Sequence, residues 1–123
     1  MVSIEIQGLK KANQFLSSQA RRTNKLIQKG LNRSAIHVQG ETKMSIAGQR
    51  AEHRSVDTGR FLNSVDFQTN NRTLMAWIFS DLPYAKFLEY GTSKFRGRRH
   101  FSNTAKRQKA KVRDIIANEL KLL

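Results

Sequence analysis

The sequence predicts an α+β fold: a small antiparallel β-sheet packed against a long N-terminal helix and a C-terminal helix. Three patterns carry that expectation. Val2, Ile4 and Ile6 alternate with Ser3, Glu5 and Gln7, the period of two that marks a half-buried strand. Apolar and small residues then recur at three- and four-residue steps from Leu9 to Val38, the period of an amphipathic helix. Two strand-like runs flank Asn70-Asn71, and a second helical stripe closes the chain.

Taken in order, the first helix has Leu9, Ala12, Leu16, Thr23, Ile27, Leu31, Ser34 and Val38 on its stripe, with most lysines and arginines off it. Run from about Leu9 to Ile46 it would measure roughly 57 Å. A compact domain of this size is only about 35 Å across, so such a helix bends or lies against a neighbouring subunit. Gly30 and Gly40 are the candidate bends, each weakening the helix by up to about 1 kcal/mol. Residues 47–58 are polar and aperiodic and read as a mobile loop. Asp57 or Thr58 can cap a short helical turn over 60–64.

Val65 and Phe67 alternate with Asp66 and Gln68 in a strand, and Asn70-Asn71 suit a tight hairpin turn. The return strand, Thr73 to Phe79, is apolar on both faces, so both faces need cover. The long helix covers one; the other must meet the C-terminal helix or another subunit, which makes Met75, Trp77 and Phe79 the candidate oligomer interface. Beyond Pro83, Tyr84, Phe87 and Leu88 form one side of a two-turn helix, and Gly91 suits its left-handed stop. Residues 93–99 form a basic loop. Ser102, Asn103 or Thr104 caps the last helix, whose stripe runs through Ala105, Val112, Ile115, Ile116, Leu120 and Leu123.

At 123 residues and 14.1 kDa the chain is expected to form one domain over 1–123, burying about two-thirds of its unfolded surface. Cysteine is absent, which excludes disulfides, Cys-ligated zinc and thiol catalysis. The start has no basic-then-apolar signal pattern, and no apolar run approaches the ~20 residues of a bilayer span, so a soluble, non-secreted protein with no membrane partner is expected. His37, His53 and His100 have no partner among themselves at helical spacing, and no Walker loop, nucleophile elbow or zinc-protease motif occurs. The expectation is a non-enzyme without cofactor or metal. The enzyme alternative is a nuclease gathering Asp57, Asp66, Glu89 and histidines around a metal.

The formal net charge is +14, which calls for a polyanion or an acidic protein as neighbour. From Lys94 to Arg113 there is no carboxylate at all. Lys94, Phe95, Arg96, Arg98, Arg99 and His100 are therefore the candidate contacts to a partner or to DNA, with Glu89 the nearest internal partner for Arg99. Cations mixed with phenylalanines suit single-stranded nucleic acid, where rings stack on bases and arginines track phosphates. The rings serve equally as anchors, Phe101 as a staple at the start of the last helix; Phe95 fits either role.

Three segments together resemble a known family. They are Val56-Asp57-Thr58-Gly59-Arg60-Phe61-Leu62-Asn63-Ser64-Val65, then Pro83-Tyr84-Ala85-Lys86-Phe87-Leu88-Glu89-Tyr90-Gly91-Thr92, then Arg99-His100-Phe101 with Ala105. The pattern is similar to that of the tail-completion, or head–tail joining, proteins of long-tailed bacteriophages, over roughly residues 56–105. Thr58, Gly59, Arg60, Tyr84, Ala85, Glu89, Tyr90, Gly91 and Thr92 fall on the family motif. His100 stands where the family has proline, and Thr104-Ala105 where it has Pro-Ala. The resemblance implies a non-enzymatic virion protein, assembled in the host cytoplasm, that forms a ring with copies of itself, a hexamer being expected. That ring would sit at the neck between the connector proteins and the tail terminator or tail-tube protein, on the path of the DNA. The tail terminator or stopper of the same neck is the alternative. Outside that class, the alternative is a small basic nucleic-acid-binding protein.

Overall fold

Alternation along Val2–Ile6 (β1) puts Val2, Ile4 and Ile6 in the core and leaves Ser3 and Glu5 exposed. The computed structural model describes residues 2–6 and 20–122. After β1 come α1 (Ala20–Ile46), α2 (Arg60–Ser64), β2 (Asp66–Asn70), β3 (Met75–Ser80), α3 (Ala85–Tyr90) and α4 (His100–Leu120). The sheet is antiparallel in the order β1-β3-β2, with Ile4 and Phe67 both opposite Ile78. The fold is thus the α+β arrangement expected, with three strands and a long helix at each end.

The stripe of α1 continues as predicted through Thr23, Ile27, Leu31, Ser34 and Val38, and on through Thr42, Ser45 and Ile46. These residues cover the sheet face formed by Ile4, Ile78, Ala76 and Phe67. The part of the predicted helix at 9–19 lies outside the described residues. Gly30 is a contact point: a Cβ there would stand 3.1 Å from the Ile116 Cα of α4. Lacking a side chain, it lets α4 close down on α1. Arg33 on α1 then reaches the Glu119 carboxylate at 2.6 Å, and His37 Nε2 donates to Gln108 Oε1 at 2.7 Å, joining the two helices along their length.

Both long helices lie on the same side of the sheet, since α1 packs on β2 and β3 and α4 packs on α1 and the β1 edge. The C-terminal helix therefore does not cover the second face of β3. On that face Met75, Trp77 and Phe79 are half-buried, beside Glu5 opposite Trp77 and Asp66 opposite Phe79.

The hairpin turn departs from expectation. Asn70 uses its side chain: Oδ1 accepts the N–H groups of Arg72 at 2.9 Å and Thr73 at 3.2 Å. The residue with positive φ is Leu74 (φ 55), whose side chain is buried. Burying a leucine yields about 1.5–3 kcal/mol, more than the roughly 1–2 kcal/mol that a left-handed conformation costs.

Candidate functional site

The three segments that carry the resemblance are separate in sequence and meet at one aromatic side chain. Phe61, at the start of α2, packs its ring 6.3 Å from Tyr84, 6.2 Å from His100 and 6.4 Å from Phe101, centroid to centroid. Gly59 aims it there. It caps α2 in the left-handed region (φ 81, ψ −1) without a side-chain hydrogen bond, and Thr58 Oγ1 is only a distant acceptor, 3.4 Å from the Arg60 N–H. The cap is a backbone conformation rather than the Asp57 or Thr58 side chain expected.

Glu89 is a second point of convergence. It is buried, and its carboxylate accepts the N–H groups of Phe101 and Ser102, each at 2.8 Å, as well as the Ser102 hydroxyl. Those amides are among the first donors of α4, which no residue of the helix itself can satisfy. A carboxylate there also faces the positive end of the helix dipole. The cap of α4 is thus supplied by α3, and not by Ser102, Asn103 or Thr104; the Glu89 carboxylate is engaged there and not with the Arg99 guanidinium. Arg99 occupies the left-handed region (φ 58, ψ 35) and stacks its guanidinium over Tyr90, 5.4 Å from the ring centre.

Gly91 ends α3 with φ 87 and ψ 179, a conformation open to glycine but not the αL stop expected. A Cβ at Gly91 would fall 2.5 Å from the Gly97 nitrogen, and one at Gly97 would fall 2.5 Å from the Glu89 carbonyl. The basic loop therefore lies directly on the last turn of α3. Its backbone is fastened there by Arg98 N–H to Leu88 O at 2.7 Å, Arg99 N–H to Glu89 O at 3.2 Å and Thr92 N–H to Phe95 O at 3.0 Å.

His100 corrects the sequence-based expectation most sharply. It is fully buried, not a contact to a partner. Its Nδ1 lies 2.7 Å from Ser45 Oγ and its Nε2 lies 2.7 Å from Ser55 Oγ. Ser45 donates its only proton to Glu52 Oε1 at 2.6 Å, so Nδ1 carries the imidazole hydrogen and Nε2 accepts from Ser55. Ser55 in turn accepts from Arg98 Nη1 at 2.8 Å. At the other end Arg107 grips both oxygens of Glu52 at 2.7 Å, with Asn103 at 3.0 Å. Burial pushes His100 down to about 4, and the Arg107 pair with the Ser45 and Asn103 donors holds Glu52 at about 2. The imidazole is therefore neutral at pH 7, inside a chain of hydrogen bonds with a charged arginine at each end.

That chain fastens the segment predicted to be a mobile loop. Glu52 is buried, and Arg50 makes a two-point contact with Glu41 on α1 at 2.8 and 3.1 Å. Arg98 also reaches Arg54 O at 2.9 Å, so it is an internal brace rather than a free cation of the basic loop. Lys94, Phe95, Arg96 and Arg99 remain exposed, while Phe101 is buried as an anchor. Glu52, Ser45, Ser55 and Arg107 were missed by sequence reasoning. The signal available was the α1 stripe, which runs past Val38 into Thr42 and Ser45, hydroxyl residues at core positions.

On α3 the solvent side is aromatic. Tyr84, Phe87 and Tyr90 recur every three residues and are 38%, 45% and 58% exposed, whereas Ala85 and Glu89 face inward. Tyr84 and Phe87 are thus on the outer face while Leu88 packs against the core, so the three do not form the single side expected. Lys86 Nζ sits 5.2 Å from the Phe87 ring centre. Arg54, Arg60, Tyr84 and Arg98 line a cleft of about 440 Å³ beside this face.

Among the described residues no group of three or more His, Asp or Glu could hold a metal ion, and no helix is long and apolar enough to cross a membrane. No protein-family model matches the sequence, and neither the curated proteins nor the solved structures include a match.

Proposed function

We propose that this chain is a structural virion protein of a long-tailed phage or prophage. It forms a ring at the neck that completes the tail and joins it to the DNA-filled head. The observation that carries the reading is the convergence of the three family-like segments. Gly59 turns Phe61 into the aromatic cluster, Glu89 caps α4, and Gly91 lets the basic loop lie on α3. The residues of the motif thus have duties that depend on one another, as a shared fold requires.

The mode of action is assembly. The half-buried sheet face of Met75, Trp77 and Phe79 is the subunit contact, and the exposed cations Lys94, Arg96 and Arg99 meet an acidic neighbour in the neck or the DNA passing through it. The tail terminator or stopper position in the same neck would use the same surfaces.

The test is a phage from which this gene is deleted, complemented in trans and viewed by electron microscopy. The expected particles without the protein are filled heads and finished tails that stay apart, with joined virions restored by the wild-type gene. Normal virions in its absence would end the reading. A lysate of unfinished tails of abnormal length would move the protein to the terminator position instead.

A further inference from the structure

We propose that the outer face of α3 together with the 92–96 turn binds single-stranded nucleic acid, with its rings stacking on bases and its cations tracking phosphates. This does not rest on the neck reading. Tyr84, Phe87 and Tyr90 lie on one side of α3, and Phe95 is presented by the adjoining turn at 41% exposure. That turn is fixed by the Gly91–Arg96 bridge and by Lys94 N–H to Thr92 Oγ1 at 3.1 Å. Lys86, Lys94, Arg96 and Arg99 are exposed among these rings. From Leu82 to Arg113 the sole carboxylate is Glu89, which is buried and engaged with α4.

The composition separates the classes of partner. Centres of protein–protein interfaces are depleted in charge, lysine especially, whereas here cations stand among the rings, and the acidic residues, Asp57 in the cleft beside Tyr84 and Asp81 beside Lys86, lie at the Tyr84 margin away from Tyr90 and Phe95. A positively charged track with stacking rings is the device of single-strand binding. A duplex offers phosphates to the cations but keeps its base faces stacked, leaving the rings without work.

Arg99 adds an independent observation. Its left-handed backbone would be met without strain by glycine, yet the residue is arginine, and the conformation carries its guanidinium over Tyr90. Strain held at an exposed position points to a use for the side chain.

The experiment is fluorescence anisotropy with labelled oligo-dT of about 16 nucleotides and with a duplex of equal length, titrated across salt from about 50 to 200 mM. The expected result is tighter binding of the single strand, with log K falling linearly with log salt. Phe87→Ala with Tyr90→Ala should weaken oligo-dT binding about tenfold or more and leave the salt slope unchanged. Lys94→Ala with Arg96→Ala should flatten the slope. Arg99→Gly should bind more weakly while its thermal midpoint stays level or rises, which separates a contact from a structural role. Equal affinity for duplex, or ring variants that bind oligo-dT like wild type, overturns the proposal. Ring variants that bind normally but no longer restore virions would mark the face as a protein contact and overturn it too, leaving the neck reading intact.

Discussion

Gly91 illustrates how much can depend on one missing side chain. Its φ of 87 excludes most residues, and a Cβ would also meet the Gly97 nitrogen at 2.5 Å and the Phe95 carbonyl at 2.8 Å. Gly91→Ala should therefore destabilise by more than about 1 kcal/mol; a denaturation midpoint equal to wild type would show that the loop need not lie on α3. His100 sets the pH dependence. Its folded value of about 4 lies below the ordinary 6.5, so between those values the unfolded chain binds the extra proton. Stability present above pH 6.5 is lost as pH falls toward 4, by about 3 kcal/mol, and Glu52 adds a further loss between pH 4.5 and about 2. Denaturant titrations from pH 7 to 4 should show this decline, and His100→Gln should flatten it. The same slope in the variant would assign it to other groups.

At the scale of elements, two glycines in α1 have opposite roles that the sequence does not distinguish. A Cβ at Gly40 would touch nothing within 4 Å, whereas one at Gly30 would press on the α4 backbone. Gly40→Ala should thus stabilise by about 0.5–1 kcal/mol through helix propensity, and Gly30→Ala should destabilise by forcing the helices apart. Comparable melting-temperature gains in both variants would show slack at the α1–α4 contact. The strands and long helices were legible because hydrophobic period reports which face of an element is buried: Val2, Ile4 and Ile6 in β1, Ile27 and Val38 in α1. The segment at 47–58 was not, because its attachments are polar and distant. No local pattern announces that Glu52 will meet Arg107, or Ser55 His100. The cap of α4 failed for a related reason, since Glu89 comes from another element and the local rule looks only at neighbours in sequence.

For the whole molecule, a net charge of +14 makes any contact between copies a matter of which surface is least basic. The outer sheet face presents Glu5, Asp66 and the stripe of Met75, Trp77 and Phe79, with no lysine or arginine at the outward positions of the three strands. Met75→Asp on that face should keep its circular dichroism spectrum, lose about 1 kcal/mol or less, and fail to assemble in light scattering and electron microscopy. Normal assembly would free the face from that role. Of the candidate site, the exposed cations and Phe101 as an anchor were readable from composition and position. The burial of His100 was not, because a histidine in a basic stretch reads as solvated until the fold brings Ser45 and Ser55 to it. The fastening of the basic loop has one more outcome. Bonds from Arg98 and Arg99 to α3, and from α4 to Glu89, close a circuit in which no member lets go alone. The amides of Gly91, Arg98, Arg99 and Phe101 should show one common free energy of opening in hydrogen exchange, as a single cooperative unit.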